Sequence, residues 1–81
     1  MYKFYVVEIQ RFPNGEYGHI VHEEQDADEE TAKNKGESKY YAVLSAAAIS
    51  TQPSHAAILF DEEGNPLLNK CYKHGDQNQQ S

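Results

Sequence analysis

Two short segments organise this chain. Phe12-Pro13-Asn14-Gly15 and Asp61-Glu62-Glu63-Gly64 are turn sequences that end in glycine, and each lies between two β-prone runs. In the first, Pro13 presets φ at one central position, Asn14 tolerates the next, and Gly15 can enter the left-handed region. In the second, Gly64 holds the equivalent place after a type I turn. Residues 2–11 supply Tyr2, Phe4, Tyr5, Val6, Val7 and Ile9, the β-branched and aromatic content of a strand. Its partner runs from about Glu16 to Glu24, with Tyr17, Ile20 and Val21 as apolar content. A third strand spans His55 to Phe60. A fourth begins near Pro66, where proline is tolerated, and ends near His74. The chain therefore reads as two hairpins.

Between the hairpins the apolar period changes from two to a three-four step: Ala32, Gly36, Tyr40, Val43, Leu44 and Ala47 form one helical stripe. Asp26 or Asp28 can cap its start, Asp26 with Glu29 having capping-box spacing. Glu29 and Glu30 suit the positive end of the helix dipole. Pro53 stops the helix near Ser50, because Gln52 before it is pushed out of helical geometry. Gly36 costs up to ~1 kcal/mol against alanine in a helix, so a close approach to the sheet is expected there.

These elements predict an α+β domain of order ββαββ over residues 1–74, with a polar tail at 75–81 expected to be disordered. The first hairpin returns the chain to its starting edge and the helix carries it back. The third strand then runs antiparallel beside the first, which gives a four-stranded sheet of order 2-1-3-4 with one helix on one face.

At 81 residues the chain holds one domain with a thin core. Cys71 is its single cysteine, which excludes an internal disulfide and suits a reducing, cytoplasmic setting. No apolar run approaches the ~18–20 residues that span a bilayer, and the strand-like start does not read as a signal peptide. A net charge of −6 with scattered lysines argues against direct binding to nucleic acid. Acidic clusters at 23–30 and 61–63 read as solvated surfaces; alternatively they dock on the basic nucleic-acid-binding site of a partner.

Three segments resemble short uncharacterised proteins encoded by phages and prophages of Gram-positive bacteria. They are Gly15-Glu16-Tyr17-Gly18-His19-Ile20-Val21-His22, Glu37-Ser38-Lys39-Tyr40-Tyr41 and His55-Ala56-Ala57-Ile58-Leu59-Phe60. The resemblance covers residues 2–74. It implies a virion, phage-accessory or mobile-element role, and it carries no catalytic residues or cofactor.

Candidate chemistry is sparse. His19-x-x-His22 and Cys71-x-x-His74 have ligand-like spacing and would supply four zinc donors to a metal-stabilised module. On a strand, however, residues three apart face opposite ways, so histidines packed across strands are the plainer account. Cys71 as a nucleophile needs a base such as His55 or His74, whereas a strand cysteine is usually a small buried hydrophobe. Tyr2, Phe4, Tyr5 and Tyr17 could stack bases, but Glu8, Glu16, Glu23 and Glu24 surround them where such platforms carry cations. No enzyme, cofactor or metal is expected from this inventory.

The surplus lies in apolar surface. Tyr5, Val7 and Ile9 point one way and Phe4 and Val6 the other, while Ala56, Ile58 and Phe60 oppose Ala57 and Leu59. A sheet with one solvated face alternates apolar with polar residues instead. The helix from Tyr40 to Ile49 is apolar apart from Ser45. One helix about 10 Å wide cannot cover four strands. The expected partner is therefore a second copy, most simply in a two-fold dimer, or another protein.

Overall fold

Both glycine-ended segments close their hairpins as the sequence predicts. Gly15 adopts φ +89° and donates to the Phe12 carbonyl at 2.9 Å; Gly64 adopts φ +87° and donates to the Asp61 carbonyl at 3.1 Å. The computed structural model describes residues 1–74, so the expected tail at 75–81 lies outside the described residues. The elements are β1 (Tyr2–Arg11), β2 (Tyr17–Asp26), α1 (Glu29–Ala48), β3 (Ser54–Phe60) and β4 (Pro66–Tyr72). They form a four-stranded antiparallel sheet of order β2-β1-β3-β4 with α1 packed against one face.

Register follows from the turns. Val7 stands opposite Val21 in β2 and opposite Ile58 in β3, so the centre of β1 is the centre of the sheet. Phe4 and Val6 from β1 and Ala57 and Leu59 from β3 face α1, where Ala32, Tyr40 and Val43 meet them. Leu44 and Leu68 close the margins. The buried side of α1 is the three-four stripe expected from the sequence.

Of the two cap candidates the structure selects one. Asp28, not Asp26, accepts from the Thr31 N–H at 2.9 Å and from its hydroxyl at 2.8 Å. Asp26 instead holds the approach to the helix, accepting from the Asp28 N–H at 3.0 Å and pairing with Lys35 at 2.9 Å. The capping-box spacing fails because β2 extends to Asp26, two residues beyond its expected end. At the other terminus α1 stops at Ala48, and the Ala47 carbonyl accepts from His74 Nε2 at 2.7 Å. This carbonyl, which also accepts from the Ser50 N–H at 3.2 Å, thus ties a residue just beyond β4 to the helix end.

Gly36 is where α1 approaches the sheet most closely. A Cβ added there would stand 2.9 Å from Phe4 Cβ and 3.2 Å from Leu59 Cδ1. Phe4 Cβ is fixed to its backbone and cannot swing aside. Gly36→Ala, which in an open helix gains up to ~1 kcal/mol, is therefore expected to lose about 1–2 kcal/mol here. A lower urea midpoint with an unchanged m-value checks this.

Candidate functional site

The face of the sheet away from α1 carries a continuous apolar patch. Alternation along the strands places Tyr5, Val7 and Ile9 of β1 on it, together with Ala56, Ile58 and Phe60 of β3. These six are only half-buried, shielded by one another, and Val21 beside Val7 is 57% exposed. The patch tapers: Tyr5 opposite Phe60 makes a bulky end, and Ile9 opposite Ala56 a slight one. Beside β4 it deepens into a cleft of about 350 Å³ lined by Ala56, Ile58, Phe60, Pro66, Asn69 and Cys71, with Lys70 at its rim.

Charge is sparse on this face. The strands contain four carboxylates, Glu8, Glu23, Glu24 and Asp26, and only Glu23 alternates onto it. Lys3 and Arg11 occupy the two ends of β1 on the same side, and His19 lies next to Ile9. The helix-side face is also incompletely covered, since Ile20 of β2 is 49% exposed. One helix is narrower than this sheet, as the element widths require.

On its helix-side face the sheet holds a part-buried polar cluster. His55 is 5% exposed and its Nε2 lies 2.6 Å from Glu8 Oε2; His22 Nε2 lies 3.3 Å from Glu8 Oε1. Gln10 Nε2 donates to the same carboxylate at 3.2 Å. Burial of Glu8 opposes its ionisation, but the hydrogen bonds from His55 and His22 outweigh that and hold its pKa below the ordinary carboxylate value. A carboxylate acceptor fixes the proton of His55 on Nε2. Its Nδ1 is buried and makes no hydrogen bond. A base must reach the proton it removes, and this nitrogen is sealed beneath the helix layer. The cluster ties β2, β1 and β3 together; His55 is its buried member, while Glu8 and His22 are partly exposed.

The four residues weighed as zinc ligands are not brought together. His19 is on the open face and His22 on the helix face. Cys71, opposite Ala56, is on the open face, whereas His74 bonds to Ala47 on the helix side. Among the described residues no group of three or more His, Cys, Asp or Glu side chains, the His22–Glu8–His55 cluster included, is arranged to hold a metal ion. Cys71 is exposed, not a buried hydrophobe, because β4 is an edge strand and Cys71 alternates away from α1. Its thiol lies 3.4 Å from the Ser54 hydroxyl, with His55 on the opposite side of the sheet. The aromatic platform divides likewise: Tyr2 and Phe4 face α1 while Tyr5 and Tyr17 face away.

Sequence reasoning missed Glu8 as the hub of the part-buried cluster. The available signal was its alternation with Phe4 and Val6, which places a carboxylate in an otherwise apolar row. No family model matches the chain, and neither the curated proteins nor the solved structures contain a match to it.

Proposed function

We propose that this is a non-enzymatic interaction protein that works as a homo-oligomer, pairing the open face of its sheet with the same face of a second copy. The observation that carries this is the apolar patch from Tyr5, Val7 and Ile9 across to Ala56, Ile58 and Phe60, on the face that α1 does not cover. Four strands spaced 4.8 Å apart over about seven residues present roughly 450 Å², so two such faces remove roughly 900 Å² from water. That is just under the ~1,000 Å² a stable specific interface clears, so the pairing is of the weak, concentration-dependent kind.

A second copy suits the patch better than a charged partner does. The chain carries a net charge of −6, so two copies repel over most of their surface. They meet with least repulsion where one carboxylate is balanced by Lys3 and Arg11. The non-enzymatic part rests on the sealed Nδ1 of His55 and on the sheet that separates Cys71 from His55. The likeness to phage and prophage proteins extends the proposal to a virion or accessory role, for which flanking structural phage genes would be the support.

Ile58, at the centre of the patch, provides the test. Wild-type protein is expected to sediment as a dimer at high micromolar concentration. Ile58→Glu is expected to sediment as a monomer that still unfolds cooperatively, its melt lowered by the association it has lost. A wild-type monomer at that concentration overturns the proposal.

A further inference from the structure

We infer that the Arg11 end of the sheet is a binding site for a dianionic phosphate, carried by a small phosphomonoester or free in solution. Arg11 and Lys73 hold it from either side, over the hydroxyl of Ser54. The site needs only one copy of the chain, so it stands apart from the pairing of open faces.

Register puts the three side chains in one row. Arg11 ends β1 opposite Ser54, the first residue of β3, and also opposite Tyr17 of β2. Tyr72 stands opposite His55, so Lys73, the next residue, falls beside Ser54. The Ser54 hydroxyl lies 3.4 Å from the Cys71 thiol, on the side of the sheet away from α1. Neighbouring strands are about 4.8 Å apart, which sets the Arg11 and Lys73 backbones roughly 10 Å from each other with Ser54 between them. With Tyr17 and Pro53 these residues line a cleft of about 170 Å³. Two long cationic side chains reach a single anion across that span.

The charge of this cleft runs against that of the chain. Acidic residues outnumber basic ones by 13 to 7, yet no carboxylate lines it. Lys35 is paired with Asp26, whereas among the described residues Arg11 and Lys73 form no ion pair. Arg11 is half-buried, so its guanidinium has lost part of its hydration without gaining a carboxylate. Glu16, beside Tyr17 in sequence, accepts from Asn14 Nδ2 at 3.2 Å within the turn. The donors select the kind of anion. A guanidinium gives two parallel N–H bonds and an ammonium a third. The Ser54 hydroxyl gives a fourth by turning from the thiol, a weak partner. A carboxylate, with one charge and two oxygens, leaves part of this set unused. A phosphomonoester brings nearly two charges and three acceptor oxygens. The diester of a nucleic acid has one charge per phosphate, and its neighbouring phosphates would meet the acidic remainder of the surface. Pro53 and the ring of Tyr17, which is 70% exposed, give the organic part of an ester an apolar wall.

The test is an NMR titration of the isotope-labelled chain with phenyl phosphate and, separately, with inorganic phosphate, sodium chloride holding the ionic strength constant. The backbone amide signals of Arg11, Ser54 and Lys73 are expected to shift and to saturate together. Arg11→Gln/Lys73→Gln is expected to weaken binding by at least about ten-fold, the loss that follows removal of charge-assisted hydrogen bonds. Ser54→Ala should weaken it by about three-fold. Lys35→Gln removes a cation elsewhere and should leave binding unchanged. Tighter binding of phenyl phosphate identifies an ester as the occupant, and equal binding identifies free phosphate; both support the site. Shifts that rise linearly without saturating overturn it. So does saturable binding that Arg11→Gln/Lys73→Gln leaves intact, or that Lys35→Gln weakens as much. Should the double variant fail to fold, Lys73→Gln, beyond the end of β4, replaces it with an expected loss of about three-fold or more. Unchanged binding by that variant would again overturn the site.

Discussion

Leu59→Ala is expected to remove about 3–4 kcal/mol of folding stability, within the ~2–5 kcal/mol range for truncating a buried leucine. Leu59 is fully buried at the middle of the core, against Gly36 and the β1 side chains. A domain of 81 residues has roughly 4–12 kcal/mol in all, so the variant retains little of it. The melting temperature should fall by about 12–30 °C at 4–8 °C per kcal/mol. Ile58 is its neighbour in sequence but lies on the open face, half-buried. The contrast is the sharp part of the prediction. Substitution at 59 should move the melt of the monomer, and substitution at 58 should move its association. A similar loss of fold from both would mean that the open face is part of the monomer's core.

Glu8→Ala should be nearly as costly, at about 2–3 kcal/mol, for a different reason. It removes the partner of buried His55 and of His22, leaving the His55 ring without a hydrogen bond at either nitrogen. The double variant Glu8→Leu/His55→Leu should recover most of that loss, because apolar groups of similar size leave nothing unsatisfied. Failure of the double variant to recover would mean that the cluster contributes more than satisfied hydrogen bonds. The pH dependence has a definite sign. Glu8 has a folded pKa below its ordinary value of 4.5, so its contribution is complete above that value and is lost as pH falls through the folded pKa. The stability gap between wild type and Glu8→Ala should therefore narrow in acid. Asp28 and Asp61, lowered by bonds from Thr31 and Asn65 respectively, keep an acid-labile component in both proteins. Urea denaturation followed across the acid range separates these contributions.

Local chemistry determined most of this architecture. Pro13, Asn14, Gly15 and Gly64 specify their turns through backbone geometry, which needs no distant partner. The stripe from Ala32 to Ala47 and the alternation in β1 and β3 specify which side of each element is buried. The strand order follows, since each connection can travel only so far. Gly36 was legible for the same reason: a helix former is absent where the helix must lie closest to the sheet.

Tertiary placement decided the rest. The choice of Asp28 over Asp26 as cap was settled because β2 pairs with β1 as far as Tyr2, and pairing length depends on both strands. Cys71 is exposed because β4 is an edge strand and the helix lies on the other side. Glu8 became the hub of a part-buried cluster only when two registers brought His22 and His55 to the same carboxylate from different strands. A hydrogen bond between residues 47 positions apart leaves no periodic trace in a sequence, because it depends on the relative shift of strands and not on the pattern within any one of them. The apolar surplus was written in the sequence. Only the assembled sheet set its taper, with Tyr5 beside Phe60 at one end and Ile9 beside Ala56 at the other, because cross-strand register determines which side chains stand side by side.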